Sequence, residues 1–92
     1  MTPIRWSPEA AADLEGIVDR IEIDNPNRAT EIAREILDRV AALAQFPNLG
    51  RPGRRPGTRE LVIPGLPFLA IYRLRKDVVE IGRVLHGAQY WG

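Results

Sequence analysis

The sequence predicts an α+β fold of order β-α-α-β-β-β, in which a helix hairpin packs on an antiparallel sheet. Two observations carry this prediction. The first half contains two helix-start signals, Ser7-Pro8 and Asn25-Pro26, each followed by apolar residues at helical spacing. The second half contains three segments rich in branched and aromatic residues, which are separated by turn residues. Helices and sheet must cover each other, because neither layer buries a core alone.

The first strand and the two helices follow from local signals. Residues 2–6 form a short candidate strand, and Pro3 confines it to an edge or to a strand start. After Ser7-Pro8, an apolar stripe of an amphipathic helix consists of Leu14, Ile17, Val18 and Ile21. A second helix is expected from Asn25-Pro26 to about Gln45. The connection between the helices is short, so we expect an antiparallel hairpin.

Glycine and proline separate the helices from the β part. Residues 47–57 are too rich in both for a helix or a central strand, and we expect a long loop there. Pro64-Gly65 and Lys76-Asp77 are turn pairs. The three strands that they delimit are expected over residues 58–63, 68–74 and 78–86. Because the connections are tight, these strands should form an antiparallel meander.

Composition excludes several classes of protein. The chain has 92 residues, which suggests one domain over residues 1–92. It contains no cysteine and one histidine, which excludes disulfides, iron–sulfur clusters and thiol nucleophiles and argues against a metal site. No apolar run approaches the roughly 20 residues of a membrane span, and because no basic start precedes a long apolar run we expect no secretory signal. We expect a cytoplasmic protein with no cofactor and no membrane partner.

Charge is distributed unevenly along the chain. Residues 1–46 contain five arginines and nine acids, net −4, whereas residues 47–92 contain eight basic residues and three acids, net +5. A half this basic favours an anionic partner such as RNA, DNA or an acidic protein segment, although scattered solvated charges are the simpler alternative. The candidate anion-binding residues are Arg51, Arg54, Arg55, Arg59, Arg73, Arg75 and Arg83.

Strand alternation places Arg83 on the same face as Val79 and Ile81. A half-buried arginine needs a partner, so we expect either an ion pair with a carboxylate such as Glu60 or a guanidinium that lines a groove for an anion. No phosphate-binding loop, metal-ligand cluster or Ser/His/Asp constellation is present.

Two further side chains are candidates for chemistry. His86 stands at the end of the third meander strand and has the chemistry of a general acid or base, although a structural hydrogen bond is the simpler role. Tyr90 is a candidate hydrogen-bond donor to a phosphate. Alternatively, Tyr90 and Trp91 cover the core.

Several segments, in this order, resemble the RelE/ParE toxin superfamily over nearly the whole chain. They are Ser7–Leu14, Phe46–Gly53, Gly57–Leu61, Ile71–Arg73 and Ile81–Gly87. The resemblance implies a toxin of a type II toxin–antitoxin module. Its implied partner is a cognate antitoxin, whose disordered acidic tail folds along the toxin in a hetero-oligomer and suits the basic half.

Within this superfamily the resemblance implies one of two activities. ParE-like members poison DNA gyrase, and the segments Val84–Gly87 and Gly50–Gly53 are more similar to that side. RelE-like members cut mRNA on the ribosome without a metal. The ribonuclease alternative implies Arg59 and Arg83 on the phosphate and His86 or Tyr90 in proton transfer. An inactive or retargeted interaction domain is the third interpretation.

One position departs from the nuclease pattern. Leu69 stands where the nuclease members carry a basic residue, and the lysines of their preceding loop and strand are missing. Arg54 and Arg55 are the available substitutes. We therefore expect a ParE-like gyrase inhibitor, with the ribonuclease as the alternative.

Overall fold

The computed structural model describes residues 1–91, and for Trp91 the backbone alone. The expectation that the Trp91 side chain covers the core lies outside the described part. The helices are α1 (Pro8–Asp24), α2 (Pro26–Ala41) and the short α3 (Gly87–Trp91). The strands are β1 (Ile4–Trp6), β2 (Arg51–Pro52), β3 (Arg59–Val62), β4 (Phe68–Arg75) and β5 (Val78–His86). The predicted order is confirmed, with β2 and α3 as additions.

The five strands form one sheet of order β1-β5-β4-β3-β2. The meander β3-β4-β5 is antiparallel, as predicted, whereas β1 pairs in parallel with β5. The strand β2 lies in the segment predicted as loop and pairs antiparallel with β3 at the opposite edge of the sheet. A strand of two residues that contains Pro52 fits an edge, where the missing backbone N–H costs no ladder hydrogen bond.

The helix hairpin begins at the predicted caps. The Ser7 hydroxyl accepts a hydrogen bond from the Ala10 backbone N–H at 3.0 Å, and the Asn25 side chain accepts one from Arg28 N–H at 3.1 Å. A proline follows each cap. The prediction that the second helix extends to about Gln45 was wrong: α2 ends at Ala41 and continues as a 3₁₀ turn over Ala42–Ala44. No helix of residues 1–91 is long and apolar enough to cross a membrane.

One face of the sheet carries the core. Buried side chains of α2 pack against buried side chains of β3, β4 and β5. From α2 these are Ile32, Ile36 and Val40, and from the sheet they are Leu61, Ala70, Tyr72, Val79 and Ile81. Tyr72 is 1% exposed, and its hydroxyl accepts from Gly50 N–H at 2.9 Å and donates to the Pro47 carbonyl at 2.7 Å. The buried Tyr72 hydroxyl thus hydrogen-bonds a backbone N–H and a backbone carbonyl of the loop and anchors the loop to the core.

A β-bulge changes the faces of β5. Ile71 pairs with Arg83 and Tyr72 pairs with Ile81, so Gly82 is an extra residue without a partner on β4. The buried row therefore continues from Ile81 to Val84, which is 2% exposed. The prediction that Arg83 shares a face with Val79 and Ile81 was wrong, because the inserted residue reverses the alternation beyond it.

We expect two Gly→Ala substitutions to have opposite effects on stability. A Cβ on Gly50 would lie 2.7 Å from Tyr72 Cε1 and 2.9 Å from the Glu60 carbonyl oxygen, so Gly50→Ala should lower the free energy of unfolding by about 1–3 kcal/mol. Gly16 lies inside α1 with nothing within 4 Å of its Cβ position, so Gly16→Ala should raise it by about 0.5–1 kcal/mol. Urea denaturation measures both; equal effects would contradict the described packing of Gly50.

Candidate binding surface

The sheet face opposite the helices contains a cleft of about 480 Å³, named here the arginine cleft. Its floor comes from β4 and β5, and its walls come from the loop before β3 and from α3. The lining residues are Arg54, Arg55, Thr58, Ile71, Tyr72, Arg73, Glu80, Gly82, Arg83, Leu85 and Tyr90. Four of these eleven residues are arginines, so the cleft has the character of an anion-binding surface with a partly apolar floor.

A tight turn positions the two loop arginines. The Gly53 N–H donates to the Thr58 carbonyl at 2.8 Å, and the Thr58 hydroxyl donates to the Arg55 carbonyl at 2.6 Å. Gly57 has φ +81°, a left-handed conformation that suits glycine in such a turn. The long loop of the prediction is thus ordered around the cleft.

A buried carboxylate at the cleft wall organises Tyr90 and Arg51. Glu60 is 3% exposed; its Oε2 accepts from the Tyr90 hydroxyl at 2.5 Å and its Oε1 from Arg51 Nε at 3.0 Å. The Arg54 guanidinium lies 4.6 Å from the centroid of the Tyr90 ring, a cation–π contact. Tyr90, a predicted donor to phosphate, therefore donates to a protein carboxylate.

The pKa values of this group follow from the same contacts. Burial works to raise the pKa of Glu60, but the hydrogen bonds from Tyr90 and Arg51 and the Arg51 charge outweigh it, so the pKa lies below its ordinary value. The hydrogen bond to Glu60, together with burial, raises the pKa of Tyr90. Glu60 is thus ionised and Tyr90 is a proton donor at neutral pH.

Arg83 has a carboxylate partner, as one of the two expectations had it, but the acid is Asp13 of α1 and not the suggested Glu60. Arg83 Nε donates to Asp13 Oδ2 at 2.7 Å and Nη2 donates to Oδ1 at 3.0 Å. Burial works to raise the pKa of Asp13, but the bonds from Arg83 and Val84 lower it below its ordinary value. The bulge directs Arg83 away from the buried row, and Glu60 is already held by Tyr90 and Arg51.

Of the remaining predicted arginines, Arg59 and Arg75 contact other groups of the protein, whereas Arg55 and Arg73 line the cleft without an ion pair to a carboxylate of residues 1–91. Arg59 Nη1 donates to the Gly50 carbonyl at 2.6 Å and so holds the loop rather than the cleft. Arg75 Nη1 lies 3.9 Å from Glu80. Arg55 and Arg73 line the cleft, and within residues 1–91 neither has a carboxylate at salt-bridge distance.

His86 lies in a second cleft, of about 510 Å³, between α1 and the end of β5. Its Nδ1 accepts from Ala88 N–H at 3.0 Å, and its ring meets Phe68 edge-on at 5.6 Å between centroids. Arg59, Arg83, His86 and Tyr90 therefore do not converge on one point, as the ribonuclease alternative requires. Arg83 lines both clefts, but Tyr90 does not line the second cleft and Arg59 lines neither.

Sequence reasoning missed Asp13 as the partner of Arg83, and it named Glu60 for Arg83, whereas Glu60 pairs with Arg51. The register of β2 against β3 places Arg51 opposite Glu60, but a two-residue strand in a Gly/Pro loop has no sequence signal.

Among the described residues, no group of three or more His, Cys, Asp or Glu side chains forms a candidate metal site.

The chain belongs to a toxin family. The family described as "ParE toxin of type II toxin-antitoxin system, parDE" matches residues 4–91. The chain is therefore a toxin of a type II toxin–antitoxin system, in the ParE/RelE superfamily, and the family resemblance of the sequence is confirmed.

Relatives and solved structures agree with this family. The chain is 43% identical to the protein named toxin Y4kP of Sinorhizobium fredii, over 96% of this chain and 91% of that protein. It is 29% identical to toxin RelE2 of Caulobacter vibrioides over 97% and 99%. A structure of the chromosomal ParDE system from P. aeruginosa matches with TM-score 0.87, 32% identity and coverage of 94% and 96%. The toxin-antitoxin complex RelBE2 from Mycobacterium tuberculosis has the same fold, with TM-score 0.66, 24% identity and coverage of 92% and 96%.

We expect Glu60→Gln to lower the free energy of unfolding by about 1–3 kcal/mol at neutral pH, because it removes the charge that Tyr90 and Arg51 bind. The folded-state pKa of Glu60 is lowered below the ordinary value of 4.5, so its stabilisation is complete above that value and is lost as the pH falls from there through the lower folded-state pKa. The difference in the free energy of unfolding between wild type and Glu60→Gln should therefore shrink below about pH 4.

Urea denaturation between pH 3 and pH 7 measures this dependence. The matched control is Glu31→Gln, which removes an exposed acid paired with Arg28 at 2.9 Å and should change stability by less than about 0.5 kcal/mol. A constant difference between wild type and Glu60→Gln across the whole pH range would contradict the assignment.

Proposed function

We propose that this toxin inhibits DNA gyrase by binding it through the arginine cleft, and that it is not a nuclease. The observation that carries the proposal is the pair Arg55 and Arg73, two cleft arginines that no carboxylate of residues 1–91 neutralises by an ion pair. They stand beside a partly apolar floor that includes Ile71 and Leu85. Cations around apolar contact area suit a protein partner that presents acids and apolar side chains.

Three placements favour binding over RNA cleavage. The Tyr90 hydroxyl donates its hydrogen bond to Glu60, and His86 lies in the second cleft. Leu69, where the nuclease members carry a basic residue, is 2% exposed and supplies no cation. General acid–base catalysis needs a proton donor or acceptor within hydrogen-bond reach of the phosphate, and the arginine cleft lacks such a histidine.

The proposed second partner is a cognate antitoxin. The matching structures contain a ParDE system and a RelBE2 toxin-antitoxin complex, which supports a hetero-oligomer of toxin and antitoxin here as well. The antitoxin would place an acidic segment in the arginine cleft and so occlude the surface that gyrase needs. A disordered tail that orders on binding suits such an exposed groove, because the ordering cost is offset by the large surface that it covers.

We expect the purified chain to inhibit supercoiling by DNA gyrase, and Arg73→Glu to weaken this inhibition by about tenfold or more. Reversing a cleft charge removes one attraction and adds one repulsion to an acidic partner. The matched control is Arg34→Glu, at an exposed position of α2, which should stay within about twofold of wild type. A plasmid supercoiling assay with titrated toxin measures both.

The same proteins also test the ribonuclease alternative. We expect no specific mRNA cuts when the wild type is added to a translating extract. Cuts that disappear in Arg83→Ala or His86→Ala, together with unimpaired gyrase, would overturn the proposal in favour of a nuclease. Equal inhibition of gyrase by wild type and Arg73→Glu would remove the arginine cleft as the contact surface.

A further inference from the structure

Asp13 lies where the pairing of β1 with β5 ends. The strand β1 pairs as far as Trp6 with Ile81. Ser7 then continues along the same edge, because its N–H donates to the Ile81 carbonyl at 2.9 Å and its hydroxyl to the Gly82 carbonyl at 2.9 Å. Asp13 Oδ2 accepts the next outward group, Val84 N–H, at 3.0 Å. Side chains at the start of α1 thus satisfy an edge that the short β1 leaves open.

The same carboxylate holds Arg83 at two points. Nε and Nη2 of Arg83 both donate to Asp13, with one bond to each oxygen. A bidentate contact fixes the plane of a guanidinium as well as its position. The Asp13 side chain is 18% exposed and that of Arg83 is 51% exposed. Arg83 lines both the arginine cleft and the second cleft, and its guanidinium has a defined orientation between them.

We infer that Asp13 is a positioning residue: it orients the Arg83 guanidinium toward an anionic group bound in the arginine cleft. The inference rests on the proposed function only in taking that cleft as the binding surface. Within residues 1–91, Nη1 of Arg83 has no hydrogen-bond partner, so it is available to a ligand. A guanidinium that is already held loses less conformational freedom when it binds.

If Asp13 competed with the ligand for Arg83, removing its charge would change anion affinity in the opposite direction. If Asp13 merely competes with the ligand for Arg83, then removing its charge strengthens binding of an anion, because an internal carboxylate weakens the positive field of the cleft. If Asp13 positions Arg83, the same change weakens binding, although it makes the protein more positive. The sign of the change therefore distinguishes orientation from competition.

The test uses fluorescence anisotropy with a dye-labelled hexaglutamate peptide at low ionic strength. The full chain is compared with Asp13→Asn, Arg83→Gln and the double variant. We expect Asp13→Asn to weaken binding by about fivefold in the wild-type background and to change it less than twofold in the Arg83→Gln background. This non-additivity is expected of residues that act as one unit. Asp13→Glu, which keeps the charge, should restore part of the affinity.

The matched control is Glu9→Gln. Glu9 also acts on Arg83, but through charge alone, so its neutralisation should leave peptide affinity unchanged or raise it. Asn at position 13 retains an oxygen that can accept from Val84 N–H. Urea denaturation verifies that each variant is folded under the binding conditions.

Three results would overturn the inference. The first is tighter peptide binding by Asp13→Asn. The second is an equal loss of peptide affinity in the wild-type and Arg83→Gln backgrounds, which indicates a structural role of Asp13 at the β5 edge. The third is no binding of hexaglutamate by wild type. The gyrase assay separates this failure from failure of the proposed function. If the peptide affinities are non-additive as expected but gyrase is not inhibited, Asp13 retains its positioning role and gyrase is not the target. If gyrase inhibition is sensitive to Arg73→Glu but the effects of the Asp13 and Arg83 substitutions on peptide affinity are additive, the proposed function stands and the positioning role fails.

Discussion

Burial of one face of the sheet under the α1–α2 hairpin is the constraint on which the rest of the structure depends. Two helices cover one face of the five-stranded sheet, and the apolar side chains of α2 pack there against the inward side chains of β3, β4 and β5. Within residues 1–91, the short α3 is the one element on the opposite face. That face is therefore where charged side chains stand at low desolvation cost, and it carries the arginine cleft.

Internal acids decide which arginines face solvent as binding groups. Glu60 binds Arg51 and backbone carbonyls bind Arg59, whereas Asp13 holds two nitrogens of Arg83, which still lines the arginine cleft. The C-terminal half is basic as a whole, yet its positive charge is not one uniform surface. It includes arginines that hold the loop, Arg83 bound to Asp13, and the cleft arginines Arg55 and Arg73, which make no ion pair within residues 1–91. The cleft is thus an ordered arrangement supported by residues from both halves of the chain.

Local signals predicted most of the elements, because they act over a few residues. The Ser7 and Asn25 caps start α1 and α2 where expected, since a side-chain oxygen within three residues satisfies the free N–H groups. Lys76 and Asp77 both adopt positive φ in the β4–β5 turn, at the predicted turn pair. The extent of β5 was predicted to the residue. The site was less predictable, because its partners Asp13 and Arg83 are 70 residues apart.

The sequence by itself determined the α+β class, the positions of the helix starts and turns, and the membership of a toxin family, because these depend on periodicity, caps and motifs that are contiguous in the chain. Only the tertiary structure decided which arginines are held and which are directed outward. The bulge at Gly82 reverses the faces of β5 beyond it, and that reversal depends on how β5 pairs with β4. Residues far apart in sequence thus determine where a charge stands, since that position follows from strand register and helix packing.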